Sequence, residues 1–154
     1  KTCVIPYKTT FNTSFCLEIR KLAASKIRME EKEIYKKVLN RLFDGLGIEK
    51  HDKFKNDRLE ERTFAVDNLY PDIILTKKGT KTIDFVIEIV TKDHLNQNSL
   101  LNKWVPLSKH DFSLYLLVPK TGLKQVEKWC NDQKIIARFG TYEIKNSETE
   151  INFY

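Results

Sequence analysis

The sequence predicts an α/β protein in which a central mixed sheet of four to five strands is flanked by helices. Two observations carry this. Apolar runs of strand length recur at 73–75, 83–91 and 112–118, and a long stripe at helical spacing precedes them. The resulting order is helix, three strands, helix, strand, helix, strand, which favours a sheet with helices on its faces.

Each element has its own signal. Residues 1–13, with Pro6 and several Thr, read as an irregular arm or a short strand. Ser14 is placed to cap a helix in which Phe15, Ile19 and Leu22 share a face. From Ser25 to Asp44 a stronger helix is expected, because Ile27, Ile34, Val38 and Leu42 form one stripe that Tyr35, Leu39 and Phe43 widen. Gly45 stands where a left-handed C-cap is wanted. Pattern leaves open whether these two helices are continuous. Residues 48–60 read as a polar linker and 62–66 as the first strand. Ile73–Leu75 and Ile83–Thr91 follow, with Lys77-Lys78-Gly79-Thr80-Lys81 as the turn between them. A helix through Leu95, Leu100, Leu101 and Trp104 is expected to end at Pro106. Phe112–Val118 is a strand stopped by Pro119, residues 122–132 form a helix through Leu123, Val126 and Trp129, and 135–144 form the last strand or hairpin.

A chain of 154 residues suits one domain. Residues 1–25 read as an N-terminal arm or helix packing on a core that spans 26–154. The chain opens on Lys1, not Met, so a removed N-terminal piece or an excised domain is expected. Nothing at this end reads as a secretory signal.

With 27 Lys plus Arg against 21 Asp plus Glu, the net charge of +6 favours a polyanionic partner. Cys3, Cys16 and Cys130 are odd in number and lack Cys-x-x-Cys spacing, so they read as reduced thiols of a cytoplasmic protein. No apolar run approaches the roughly 20 residues that cross a bilayer. His51, His94 and His110 show neither zinc spacing nor a Ser or Cys partner, and Gly45-Leu46-Gly47 lacks the Lys-Ser/Thr of a nucleotide loop.

Two carboxylates stand where buried strands should carry none: Asp72 opens the second strand and Glu88 lies near the end of the third. If the strands fold back on each other, the two acids lie side by side. An ionised carboxylate in an apolar run must be paired, hydrogen-bonded or bound to a metal. Glu31, inside the helical stripe, either reaches solvent or a Lys from its edge, or leans toward the strand carboxylates as a third acid. Glu30 is the fallback, because helix phase is uncertain by a residue.

Pro71-Asp72 at the head of one strand and Glu88 in the next, set in this element order, resemble the PD-(D/E)XK nuclease superfamily over roughly residues 26–144. The resemblance implies a restriction-endonuclease-like core and hydrolysis of nucleic-acid phosphodiesters with Mg²⁺ or Mn²⁺. It implies that Asp72, Glu88 and the backbone carbonyl of Ile89 hold the metal, with Glu31 assisting. Two residues after the Glu the family places a Lys that handles the attacking water. Here that position is Val90. Some members are similar in supplying the lysine from the following helix, which makes Lys103 the catalytic candidate alongside Asp72 and Glu88. Lys92 is the runner-up, though on an extended strand it lies about 13 Å from Glu88. Thr91 and Gln97 are candidates for further polar contacts.

Lys53, Lys55, Lys77, Lys78 and Lys81, with Lys36 and Lys37, are candidates for contacts to nucleic-acid phosphates, DNA being favoured over RNA. A homodimer, with Trp104 or Trp129 at its interface, and a place in a larger multidomain protein are both compatible with the sequence. Two other readings compete. A nuclease-like domain without its motif lysine would bind nucleic acid or a protein partner without cutting, and a structural domain would contribute only an interface.

Overall fold

The computed structural model describes residues 13–47 and 49–154, without the side chains of 13–17, 19 and 23–29. Cys3 and most of the expected N-terminal arm lie outside the described residues, as do the side chains of Ser14, Phe15, Cys16 and Ile19 on which the expected cap and face depend. The chain divides into two compact units, Lys1–Glu30 and Glu31–Tyr154. In the first unit the described side chains Glu18, Arg20, Lys21, Leu22 and Glu30 are exposed.

One helix, α1, spans Thr13–Gly45, which answers the question of continuity. Gly45 is not a left-handed cap: among the described glycines only Gly79, in the β2–β3 turn, has positive φ. The sheet has six strands, not four to five, in the order β1 (His51–Lys55), β2 (Ile73–Lys77), β3 (Ile83–Ile89), β4 (Ser113–Pro119), β5 (Arg138–Lys145) and β6 (Glu148–Phe153). Neighbours β1–β2, β2–β3 and β5–β6 are antiparallel, while β3–β4 and β4–β5 are parallel, so the sheet is mixed.

Both extra strands are edges. β1 falls in the stretch read as a polar linker, because an edge strand tolerates the charge that hides its pattern. β6 is reached through Asn146 and Ser147, both at positive φ, as a tight two-residue hairpin requires. Residues 62–66, expected as a strand, make only an isolated bridge between Val66 and Leu69. Their backbone is claimed elsewhere: Thr63 N and Phe64 N donate to Asn56 Oδ1, a side chain taking the ladder's part.

Side chains alternate between two cores. Tyr35, Val38, Leu39 and Leu42 of α1 pack on Ile73, Leu75, Ile87, Ile89 and Leu117. On the opposite face Ile74, Val86, Val90, Leu114, Leu116 and Val118 meet Leu100, Trp104, Leu107, Val126 and Cys130. These come from α4 (Leu123–Asp132) and from a helical run made of α2 (Gln97–Ser99), a π-helical turn (Leu100–Trp104) and α3 (Val105–Leu107). Pro106 does not end that run; it sits in the first turn of α3, where a missing N–H is tolerated. Trp104 is 2% exposed and belongs to the core, so it offers no interface, and Trp129 is partly buried against the same core. Among the described residues no helix is long and apolar enough to cross a membrane.

Candidate active site

Antiparallel pairing of Ile73 with Ile87 and Ile74 with Val86 carries the ladder, one step on, to Asp72 across from Glu88. Alternation gives Glu88 the face of Val86 and Val90, opposite α1, whereas Asp72 stands just before β2 and is within reach of Tyr35 of α1. Asp72 is 1% exposed and Glu88 3%.

Asp72 is fully satisfied. Its Oδ2 accepts from Ile89 N at 2.7 Å and from Arg58 Nη2 at 2.7 Å. Its Oδ1 accepts from Tyr35 OH at 2.9 Å and Arg58 Nε at 3.3 Å. Burial and then the Asp72 charge hold the Tyr35 hydroxyl well above its ordinary range, so it stays a donor. Arg58 Nη2 also donates to the Ile89 carbonyl at 2.5 Å, and its guanidinium lies over the Tyr35 ring at 4.1 Å.

Glu88 is held differently. Lys103 Nζ stands 2.8 Å from its Oε2, while its Oε1 is buried without a partner. Burial, opposed by Lys103 and reinforced by Asp72, pushes the Glu88 carboxyl up to about 7. Lys103 reaches it because the helical run packs on the face to which Glu88 points. Val90, two positions on and 1% exposed, fills the core on that same face beside Trp104.

Glu88 and Lys103 open on a cleft of about 400 Å³ lined also by Arg58, Arg62, Asn98 and Asn102. His94 lines it too, with Nδ1 bonded to Asp93 Oδ1 at 2.8 Å and to Thr91 Oγ1 at 3.0 Å. Sequence spacing does not reveal these cleft partners, because only the folded sheet brings their separate segments together; Arg58 falls in the stretch 48–60 that reads as a polar linker.

The remaining sequence candidates go elsewhere. Glu31, 8% exposed, accepts from Lys92 N at 3.1 Å. With Lys92 it lines a separate cavity of about 220 Å³ beside Tyr142 and Lys120. Glu30 is exposed. Thr91 bonds Asp93 and His94, and Gln97 lines a small pocket against Trp129. Lys53 donates to the Phe43 and Leu46 carbonyls at the end of α1, and Lys55 to Asn40 Oδ1. Lys77, Lys78 and Lys81 lie exposed in or beside the β2–β3 turn. That turn is the far end of β2 from Asp72, about 17 Å along the strand.

In donor type Asp72, Glu88 and the Ile89 carbonyl fit a hard divalent cation, which takes oxygen ligands, and the orphaned Glu88 Oε1 has a lone pair to give. The fit carries a condition: Arg58 must yield Asp72 Oδ2 and the Ile89 carbonyl. Among the described residues no group of three or more His, Cys, Asp or Glu side chains is arranged to hold a metal ion. Comparisons with protein-family models, curated proteins and solved structures gave no match.

Proposed function

We infer that this chain is a restriction-endonuclease-like domain of the PD-(D/E)XK type that hydrolyses nucleic-acid phosphodiesters with Mg²⁺ or Mn²⁺, with DNA the favoured substrate. The observation that carries the reading is the contact between Lys103 Nζ and Glu88 Oε2, at 2.8 Å, on the wall of a cationic cleft. It supports Lys103 as the amine that the motif would otherwise take from position 90.

Asp72, Glu88 and the Ile89 carbonyl would hold the ion. Bound there, a divalent cation polarises the phosphoryl oxygen and eases deprotonation of water. Lys103 does two things in this reading. While Glu88 is ionised, Lys103 offsets its buried charge, and with substrate in the cleft its ammonium donates to the attacking water or to the phosphoryl oxygens as charge develops. Arg62 and Lys103 give the cleft a positive mouth that draws in a polyanion. Cys130, a buried free thiol pushed up to about 11 by burial, is chemically quiet and accords with a reducing, cytoplasmic setting.

A second reading is favoured by one observation: Arg58 already occupies Asp72 and the Ile89 carbonyl. In that case the domain binds nucleic acid or a protein partner without cutting it. Calorimetry with Mn²⁺, followed by cleavage assays on plasmid and single-stranded DNA, separates the two. Cleavage lost in Asp72→Ala, Glu88→Ala and Lys103→Ala, with metal uptake retained in Lys103→Ala, supports the nuclease. Uptake without cleavage by the wild type supports the binding module, and no uptake removes the catalytic reading.

A further inference from the structure

Arg58 makes one guanidinium serve two of the three oxygens assigned to the ion. Its Nη2 lies 2.7 Å from Asp72 Oδ2 and 2.5 Å from the Ile89 carbonyl. A second cation cannot share those oxygens with it, because the like charges would stand in near contact. The guanidinium also has a donor to spare, since Nη1 is buried without a partner. Arg58 lines the cleft that Glu88 and Lys103 share. Its backbone has bonds of its own: Arg58 N donates to Tyr35 OH at 3.1 Å, and the next turn is held by Leu59 N on Asp57 Oδ1 at 2.9 Å. Only the side chain has to move.

We propose that Arg58 is a phosphate ligand held in reserve: its guanidinium fills the cation position between Asp72 and the Ile89 carbonyl until a divalent ion displaces it into the cleft, where it binds a phosphodiester. This rests on the metal ligands of the nuclease reading. The planar fork that now bridges a carboxylate and a carbonyl suits two phosphate oxygens equally well. Metal and polyanion therefore bind with positive, reciprocal coupling that passes through Arg58.

Mg²⁺ calorimetry on the wild type and Arg58→Gln reads the displacement directly. The variant, freed of its internal competitor, is expected to bind Mg²⁺ about tenfold tighter, within the usual range of coupling between sites. In the wild type, the Arg58 Nε–H resonance is expected to shift in step with Mg²⁺ saturation, a readout that needs no variant and decides the matter if Arg58→Gln does not fold. Anisotropy of a labelled single-stranded oligonucleotide with and without Ca²⁺ reads the second half: the ion tightens binding to the wild type at least about fivefold more than to the variant. Equal Mg²⁺ affinity in both proteins, an unmoved Arg58 signal at saturation, or equal Ca²⁺ effects would overturn the role of Arg58 and leave the metal ligands standing. Absence of Mg²⁺ uptake by both proteins would remove the ligand set itself, and this inference with it.

Discussion

Lys103 Nζ and Glu88 Oε2 meet at 2.8 Å although one residue belongs to a helical run and the other to a strand. Both occupy one face of the sheet, and Val90, on that same face, is closed into the core. Moving the amine back to position 90 should therefore fail. Val90→Lys is expected to cost about 3 kcal/mol or more, because it buries an ammonium among Trp104, Leu116 and their neighbours. Urea unfolding of the variant checks this, and wild-type stability would contradict the packing argument.

The raised Glu88 carboxyl makes the metal-free chain sensitive to pH. Its folded value of about 7 lies above the ordinary 4.5, so the folded state holds this proton more tightly than the unfolded state. The stabilisation is complete below about 4.5 and is lost as pH climbs through 7. At 1.36 kcal/mol per unit, wild type should lose about 3 kcal/mol relative to Glu88→Gln across that window. Denaturation of both proteins between pH 4.5 and 7.5 gives the difference curve, and parallel curves would show that burial does not raise this group.

Four bonds converge on the amide of Asn56. Its Nδ2 donates to the Phe64 and Pro71 carbonyls at 2.6 and 2.7 Å, and its Oδ1 accepts from Thr63 N and Phe64 N at 3.1 and 2.9 Å. Asn56→Ala removes the partner of the buried Pro71 carbonyl and of the part-buried Thr63 and Phe64 backbone groups on the loop that carries Arg58. A loss of roughly 2–4 kcal/mol is expected. Hydrogen exchange should quicken first at Thr63 and Phe64; unchanged protection there would refute the anchoring role.

Location distinguishes the cationic groups. Arg62 lines the cleft, whereas Lys77 and Lys81 lie at the far end of the β2–β3 hairpin. Arg62→Ala is expected to weaken oligonucleotide binding and to lower the salt slope by about 1. Lys77→Ala and Lys81→Ala should leave both nearly unchanged. Binding titrations at several salt concentrations decide it, and the reverse ranking would move the nucleic-acid surface to the hairpin.

Much of the core is written in periodicity. The stripe from Ile34 to Phe43 and the runs in β2, β3 and β4 identify themselves, since burial on one face or both leaves a repeating apolar mark. Edge strands leave no such mark. β1, with Asp52, Lys53 and Lys55, looks like linker, and β6 follows a turn whose residues look ordinary until their φ angles are known. The 62–66 stretch errs in the other direction: it has strand composition, but Asn56 takes its backbone donors.

Local pattern by itself determined that this chain is α/β and that Asp72, at the head of β2, and Glu88, within β3, stand where a bare charge is costly, because alternation and burial are properties of neighbouring residues. Only the tertiary structure decided how each charge is met. Arg58 reaches Asp72 and Lys103 reaches Glu88 from segments far along the chain, and Glu31 turns to the Lys92 backbone. Electrostatic partnership depends on distance in space, and sequence spacing carries no measure of that until the sheet has brought its flanking segments together.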